Sequence, residues 1–140
     1  MHKLRIVAAI AINSQGEILL VRKRGTTAFM QPGGKLEPSE SEIEALQREL
    51  TEELGWSVAA QQIERVGTYS AVAANEAETV VQATLFIIHT DERATANAEL
   101  AEVRWVSPSA ARSLELAPLT REHVLPIAAA RCSKGADLSG

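Results

Sequence analysis

Cysteine is nearly absent from this chain: a lone Cys132 permits no internal disulfide and supplies no thiolate cluster for zinc. It sits in an Ala-rich helical pattern, which suits a buried or inert thiol. Histidine is equally scarce, and His2, His89 and His123 are scattered without metal-ligand spacing. No uninterrupted apolar run reaches membrane-spanning length, so no membrane partner is expected. Met1-His2-Lys3-Leu4-Arg5 leads straight into a strand-like run rather than a signal sequence, and a cytoplasmic, reduced setting is the default expectation. A basic excess is also missing. The net charge of -4 argues against a protein that tracks a nucleic acid polymer, which would carry a broad basic face. Gly-x-Gly-x-x-Gly does not occur. Gly33-Gly34-Lys35 falls short of a P-loop, because Leu36 stands where Ser or Thr is needed and Phe29 where the first glycine is needed. No serine lies in a nucleophile-elbow pattern.

What is present describes an ordinary globular domain, with hydrophobic residues at 46% and charged at 23% over a single domain's length, and no repeat or linker. Leu4 to Ile12 is apolar on both alternating faces, as a strand buried on both sides would be. Asn13-Ser14-Gln15-Gly16 is a turn, and Glu17 to Lys23 reads as an antiparallel second strand. Val58 to Val72 supplies one or two short strand segments with a bend at Gly67. Residues 73–78 form a loop near the active-site mouth. Thr79 to Thr90 is the densest β-former of the chain. Asp91 to Ala98 is loop, and Val103 to Val106 a short strand around Trp105. Ser107-Pro108 starts a short helix, and a last helix runs from about Arg121 to Arg131. The expected architecture is a mixed sheet with helices on either side, an α/β sandwich in one domain over 1–133, followed by a flexible tail at 134–140.

The stretch from Pro32 to Trp56 carries the chemistry. Its helical part starts at a capping box read as Ser39 and Glu42, shows an apolar stripe of Ile43, Leu46, Leu50 and Leu54, and stops at Gly55. Glu49, Glu52 and Glu53 fall within an arc of roughly 100° beside that stripe, with Glu42 in the same sector. Like charges three and four apart cost a few tenths of a kcal/mol per pair, and only Arg48 lies nearby. Three carboxylates on a rigid scaffold suit a hard, oxygen-preferring cation such as Mg²⁺, with substrate phosphates completing its shell. In front, Pro32-Gly33-Gly34 reads as a turn whose glycines let the backbone approach a ligand or aim a carbonyl at a metal. Arg22 and Arg24 share a strand face and can meet the charge of a nucleotide. Phe29 either stacks on a base or fills the core, the core being preferred.

Gly34, five residues, Glu40, seven residues, then Arg48-Glu49-Leu50-Thr51-Glu52-Glu53-Leu54-Gly55-Trp56 resembles the signature box of the Nudix hydrolases at every specified position. The resemblance implies a Nudix-type α/β/α sandwich and a Mg²⁺-dependent hydrolase, with Mn²⁺ as a substitute ion, that splits a pyrophosphate joining a nucleoside to another group. It implies that Glu49, Glu52 and Glu53 hold the metal with the Gly33 carbonyl, and that Glu40 and Arg48 orient the acidic helix and the loop. The phosphates would then lie against Gly34 and Lys35. The proton acceptor stays open among Glu52, Glu53 and a later glutamate, for which Glu99 is preferred over Glu102, Glu76 and Glu78. Flanking loops set specificity. No proline occurs between Pro38 and Pro108, unlike ADP-ribose and NADH hydrolases, and Tyr69 lies closer to the box than the tyrosine of dinucleoside-polyphosphate hydrolases. By elimination the chain is similar to MutT-like enzymes that convert a (d)NTP to the NMP and pyrophosphate, although Leu119-Thr120 occupies the region of the asparagine that reads oxidised guanine there. Hydrolysis of ADP-ribose, dinucleoside polyphosphates or nucleotide sugars, and a non-catalytic nucleotide sensor, are the alternatives. The partner expected is a small nucleotide, bound by a monomer or homodimer.

Overall fold

The computed structural model describes residues 2–139, with side chains described as far as Cys132. Two long apolar strands form its centre. Strand β1 (His2–Ile12) pairs in parallel with β5 (Thr79–His89) along its whole length. Both are flanked, giving the order β4-β5-β1-β2-β6, where β2 is Ile18–Lys23, β4 Glu64–Val72 and β6 Leu100–Val106. The remaining pairings β1–β2, β2–β6 and β4–β5 are antiparallel, so the sheet is mixed. Burial on both faces explains why β1 reads as continuous apolar sequence rather than an alternating one.

Alternate residues of the central strands feed two separate cores. Val7, Ala9, Ala11, Leu19, Val21, Phe86 and Ile88 pack under α1 (Glu42–Leu54) with its Leu46, Leu50 and Leu54. Ala8, Ile10, Ile12, Leu20, Leu85 and Ile87 face the other way, toward α2 (Pro108–Ala111) and α3 (Leu125–Ser139), meeting Ala111, Leu125 and Ala128. A π-helical turn at Thr120–Val124 leads into α3. The expected α/β/α sandwich is what forms.

Four details refine or correct the sequence reading. The capping residue of α1 is Ser41, whose hydroxyl accepts from the Glu44 N–H while the Glu44 carboxylate accepts from the Ser41 N–H. Ser39 has φ +80°, which removes it from the helix entrance. Glu42 instead reaches the sheet, accepting from Thr84 at 2.6 Å and pairing with Arg65 at 3.1 Å. Second, Gly33–Lys35 is a strand, β3, antiparallel to β1 through Val7↔Gly34 and Ala8↔Gly33. Third, Val58–Val72 gives one strand, β4, whose register slips between Arg65 and Gly67. Finally, the last helix continues past Arg131 to Ser139; the side chains of the expected tail, and Gly140 itself, lie outside the described residues.

The two overlapping Ser-x-x-Glu patterns can be told apart by urea unfolding. Ser41→Ala is expected to cost about 1 kcal/mol, whereas Ser39→Gly, at a positive φ that glycine adopts freely, is expected to leave stability unchanged or raise it.

Candidate active site

β1 and β2 meet only at the hairpin, through Ile12↔Ile18, and then diverge. The segment from Met30 to Lys35 fills the opening. Met30 bridges Val21 of β2, the Pro32 carbonyl accepts from the Ala9 N–H at 2.9 Å, and β3 continues along β1. The fit is close. Gly33 has φ +152°, and a Cβ there would stand 2.1 Å from the Val7 carbonyl oxygen. With no side chain to accommodate, β3 lies against β1 and turns the Gly33 N–H toward α1.

The Gly33 N–H donates to Glu53 Oε1 at 3.0 Å. Glu53 is only 4% exposed, and desolvation raises its pKa from 4.5 to about 7; the Gly33 N–H opposes this, and the Glu49 and Glu99 carboxylates add to it. Glu49 is shifted upward for the same leading reason, with Arg48 opposing. Gly34 keeps space beside Glu49, since a Cβ there would lie 2.4 Å from its carboxyl carbon. Arg48 clasps the entrance, bonding Glu40 through Nε at 2.6 Å and Nη2 at 2.8 Å, Glu49 at 2.6 Å and the Lys35 carbonyl at 3.1 Å. The guanidinium holds Glu40 below the ordinary carboxylate range. Helix α1, its N-terminal approach and β3 are thereby tied into one unit.

Glu99 arrives from the far side of the sequence by two backbone bonds. The Asn97 N–H donates to the carbonyl of Glu53 at 2.9 Å, and the Glu99 carbonyl accepts from the Arg24 N–H at 2.8 Å. Glu99, Glu49, Glu53, Gly33, Gly34 and Lys35 all line one cleft of about 660 Å³, with loop 73–76 on its border as expected. Glu52 stands outside that lining, 56% exposed and 4.0 Å from Arg48. Of the other glutamates weighed with Glu99, Glu76 lines the cleft, Glu78 does not, and Glu102 is engaged by Arg22 at 3.2 Å and Arg104 at 2.7 Å.

Arg22, Arg24 and Phe29, the substrate-binding candidates of the flanking segment, lie outside the cleft lining, Phe29 in the core where the preferred reading put it. Arg22 is spent on Glu102 and on the Thr26 carbonyl, and neither it nor Arg24 lines the cleft. Phe29 is buried with the Ala8–Ile10 core beneath the Arg104 guanidinium, 5.1 Å from the ring centre. The cation of β2 that does line the cleft is Lys23, close enough to Glu53 and Glu49 to oppose their upward shifts. Strand alternation carried the signal: Leu19 and Val21 face α1, so Lys23 follows them and Arg22 and Arg24 cannot. A second feature was only half signalled in the sequence, through the position of Thr120. Gln31 and Thr120 meet in the cleft wall, Thr120 Oγ1 donating to Gln31 Oε1 at 2.7 Å. Gln31 Nε2 is buried with no partner among the described residues, an arrangement that costs about 1–3 kcal/mol.

The donor set fits a divalent cation. It offers hard carboxylate oxygens and a glycine carbonyl, in a site whose burial of like charge a cation would relieve. Among the described residues no three carboxylates are drawn together closely enough to hold an ion, and Glu49 and Glu53 each turn an oxygen to an N–H donor.

A family model described as the NUDIX domain matches residues 2–126. The chain belongs to the Nudix family. It is 31% identical to a putative 8-oxo-dGTP diphosphatase of Bacillus subtilis over 71% of its own length and 63% of that protein's. It is 40% identical to an 8-oxo-dGDP phosphatase of Mus musculus over 36% of its length and 16% of the relative's. It therefore spans less than two thirds of either curated relative. Among solved structures, the MutT protein of Methanosarcina mazei Go1 superposes with a TM-score of 0.72 at 25% identity, over 93% of this chain and 95% of that one. The glycine-to-tryptophan box of this Nudix chain is the segment that builds β3, the Arg48 clasp and the buried Glu53.

Glu53 gives a stability prediction for the metal-free protein. Its carboxyl binds a proton more tightly in the folded chain, at about 7, than at its ordinary 4.5. Stability should thus fall as pH rises through that window, with the full penalty above it and none below about 4. Glu53→Gln keeps an oxygen for the Gly33 N–H and removes the charge. In EDTA it is expected to raise the melting temperature by several degrees at pH 8, on the order of 2–3 kcal/mol, and to change little at pH 4; equal shifts at both pH values would contradict the electrostatic account.

Proposed function

We propose that this Nudix chain is a metal-dependent pyrophosphohydrolase that converts a (d)NTP to the NMP and pyrophosphate. The observation that carries the reading is that Glu49, Glu53 and Glu99 line one cleft together with Gly33 and Gly34, whose backbone bonds Glu53. The relatives named as 8-oxo-dGTP and 8-oxo-dGDP phosphatases support the substrate class.

Glu49 and Glu53, with Glu52 turning in from the rim and the Gly33 carbonyl, are the groups that would hold Mg²⁺, or Mn²⁺ in its place. Bound there, the ion would offset charge developing on the phosphoryl oxygens and acidify an attacking water. The chain's own contribution is positional. Arg48 fixes the Glu49 carboxylate and β3 together, so the donors keep their spacing when a polyanion enters. Lys23 and Lys35 line the cleft as the cations available to phosphate oxygens. Glu99, held by its backbone to the end of β2, faces the same space and joins Glu52 and Glu53 as a group able to take a proton from water.

A nucleotide panel with Mg²⁺ tests this: canonical and oxidised (d)NTPs, ADP-ribose, dinucleoside polyphosphates and nucleotide sugars, with products resolved by chromatography. A (d)NTP is expected to be cleaved best, and Glu53→Gln to lose nearly all turnover while remaining folded. Tight binding without cleavage anywhere would favour a nucleotide sensor instead. Glu99→Gln should slow turnover at least tenfold, or about 1.4 kcal/mol of barrier; unaltered rates would return Glu99 to the surface. Lys23→Ala should raise KM at least several-fold, and Arg24→Ala should leave it unchanged.

A further inference from the structure

The cleft has a second end for which the hydrolytic groups have no use. Leu4, Ile6, Ala8, Val81 and Leu119 line it from the sheet face that α3 covers, opposite the face that carries Glu49 and Glu53. Set among them is the Gln31 amide, 7% exposed, beside Thr120, 0% exposed. A threonine hydroxyl has one proton to give. Thr120 gives it to Gln31 Oε1, which fixes the amide orientation and leaves Nε2 as the end without a partner. With that proton committed, the Nε2 N–H groups are the donors of the pair that still lack an acceptor. Apolar walls with one oriented polar group are how proteins bind flat, largely apolar ligands carrying a single hydrogen-bonding edge.

The position of that group relative to the charged end is set by the chain itself. Gln31 and Gly33 are two residues apart, at most about 7 Å along extended backbone, so one ligand can touch both. Resting on the reading of this cleft as a nucleotide site, we propose that Gln31, oriented by Thr120, reads the nucleobase and selects a ring carbonyl at the purine 6-position over an amino group there. A carbonyl oxygen accepts from Nε2 and satisfies it. An amino group would set N–H against N–H in a dry wall, leaving both unpaired, the situation in which polar sites reject an analogue most strongly. Guanine and hypoxanthine belong to the favoured class, adenine and 2,6-diaminopurine to the other. The 6-carbonyl is shared by guanine and its 8-oxo form, so the device separates keto from amino bases and is indifferent to oxidation at C8.

Binding of 2′-deoxynucleoside monophosphates tests this independently of turnover. Titration calorimetry with and without Mg²⁺ would compare guanine with 2,6-diaminopurine, and hypoxanthine with adenine, as matched pairs. The keto member of each pair is expected to bind at least about tenfold more tightly. Gln31→Met, close in shape but without the donor, should bring each pair to within about twofold. Thr120→Val frees the amide to turn its oxygen outward and should narrow the gap by strengthening the amino member, which simple loosening of the wall would not do. Equal affinities within the wild-type pairs, or a preference that survives Gln31→Met, would overturn the assignment. Cleavage of (d)NTPs without base preference would overturn this inference and leave the hydrolase standing. Base preference with no cleavage across the panel would do the reverse, and failure of all four to bind would overturn both.

Discussion

The close approach of Gly33 to the main chain of β1 is the constraint on which the site depends. The β1–β2 hairpin opens into a wedge, and a chain segment can line that wedge only if it presses its own backbone against the Val7–Ala8 peptide. Any side chain at Gly33 would strike the Val7 carbonyl oxygen. Once the segment is seated, the other features follow from geometry. Its N–H meets Glu53, its neighbour Gly34 leaves room for the Glu49 carboxylate, and the Lys35 carbonyl receives Arg48. Moving β3 outward by even one carbon atom would break three unrelated contacts at once.

Against this fixed backbone the charges are arranged in opposition. Arg48 is surrounded by acceptors and holds its proton more firmly than an isolated guanidinium. On the same helix Glu53 is dry, faced by like charge, and offset by the Gly33 amide and Lys23. The clasp and the buried carboxylate serve different ends. One makes the helix entrance rigid, and the other keeps a concentrated negative site that a divalent ion is well suited to occupy. Placing both on successive turns of α1 means that the rigid part directly supports the strained part.

Much of this was legible in the residues because it is local. The strands, the Gly55 stop and the glutamate arc depend on periodicity and near-neighbour spacing. The two cap readings differed by one Ser-x-x-Glu frame, and only the φ of Ser39 and the reach of Glu42 to Thr84 separate them. Charge and a shared strand face make Arg22 and Arg24 candidates for the nucleotide, whereas the burial of Leu19 and Val21 under α1 puts Lys23 on the cleft face. β3 was hidden because three residues containing two glycines have no strand propensity; their pairing is imposed by β1. Gln31 and Thr120 are 89 positions apart, and neither residue type in its local setting suggests the other.

The parallel pairing of β1 with β5 has a consequence for the birth of the protein. Parallel neighbours cannot be joined by a hairpin, so β1 must wait for the chain to reach Thr79 and beyond before this pairing forms. The floor beneath α1 is equally late, since Phe86, Ile88 and Leu100 contribute to it. During synthesis the acidic helix has its cap and its stop but only the β1 and β2 part of its floor. The ion pairs between Arg48 and Glu40 therefore precede the sheet in the order of sequence, while the β1–β5 ladder bears the slow loop closure that long-range contacts impose on folding.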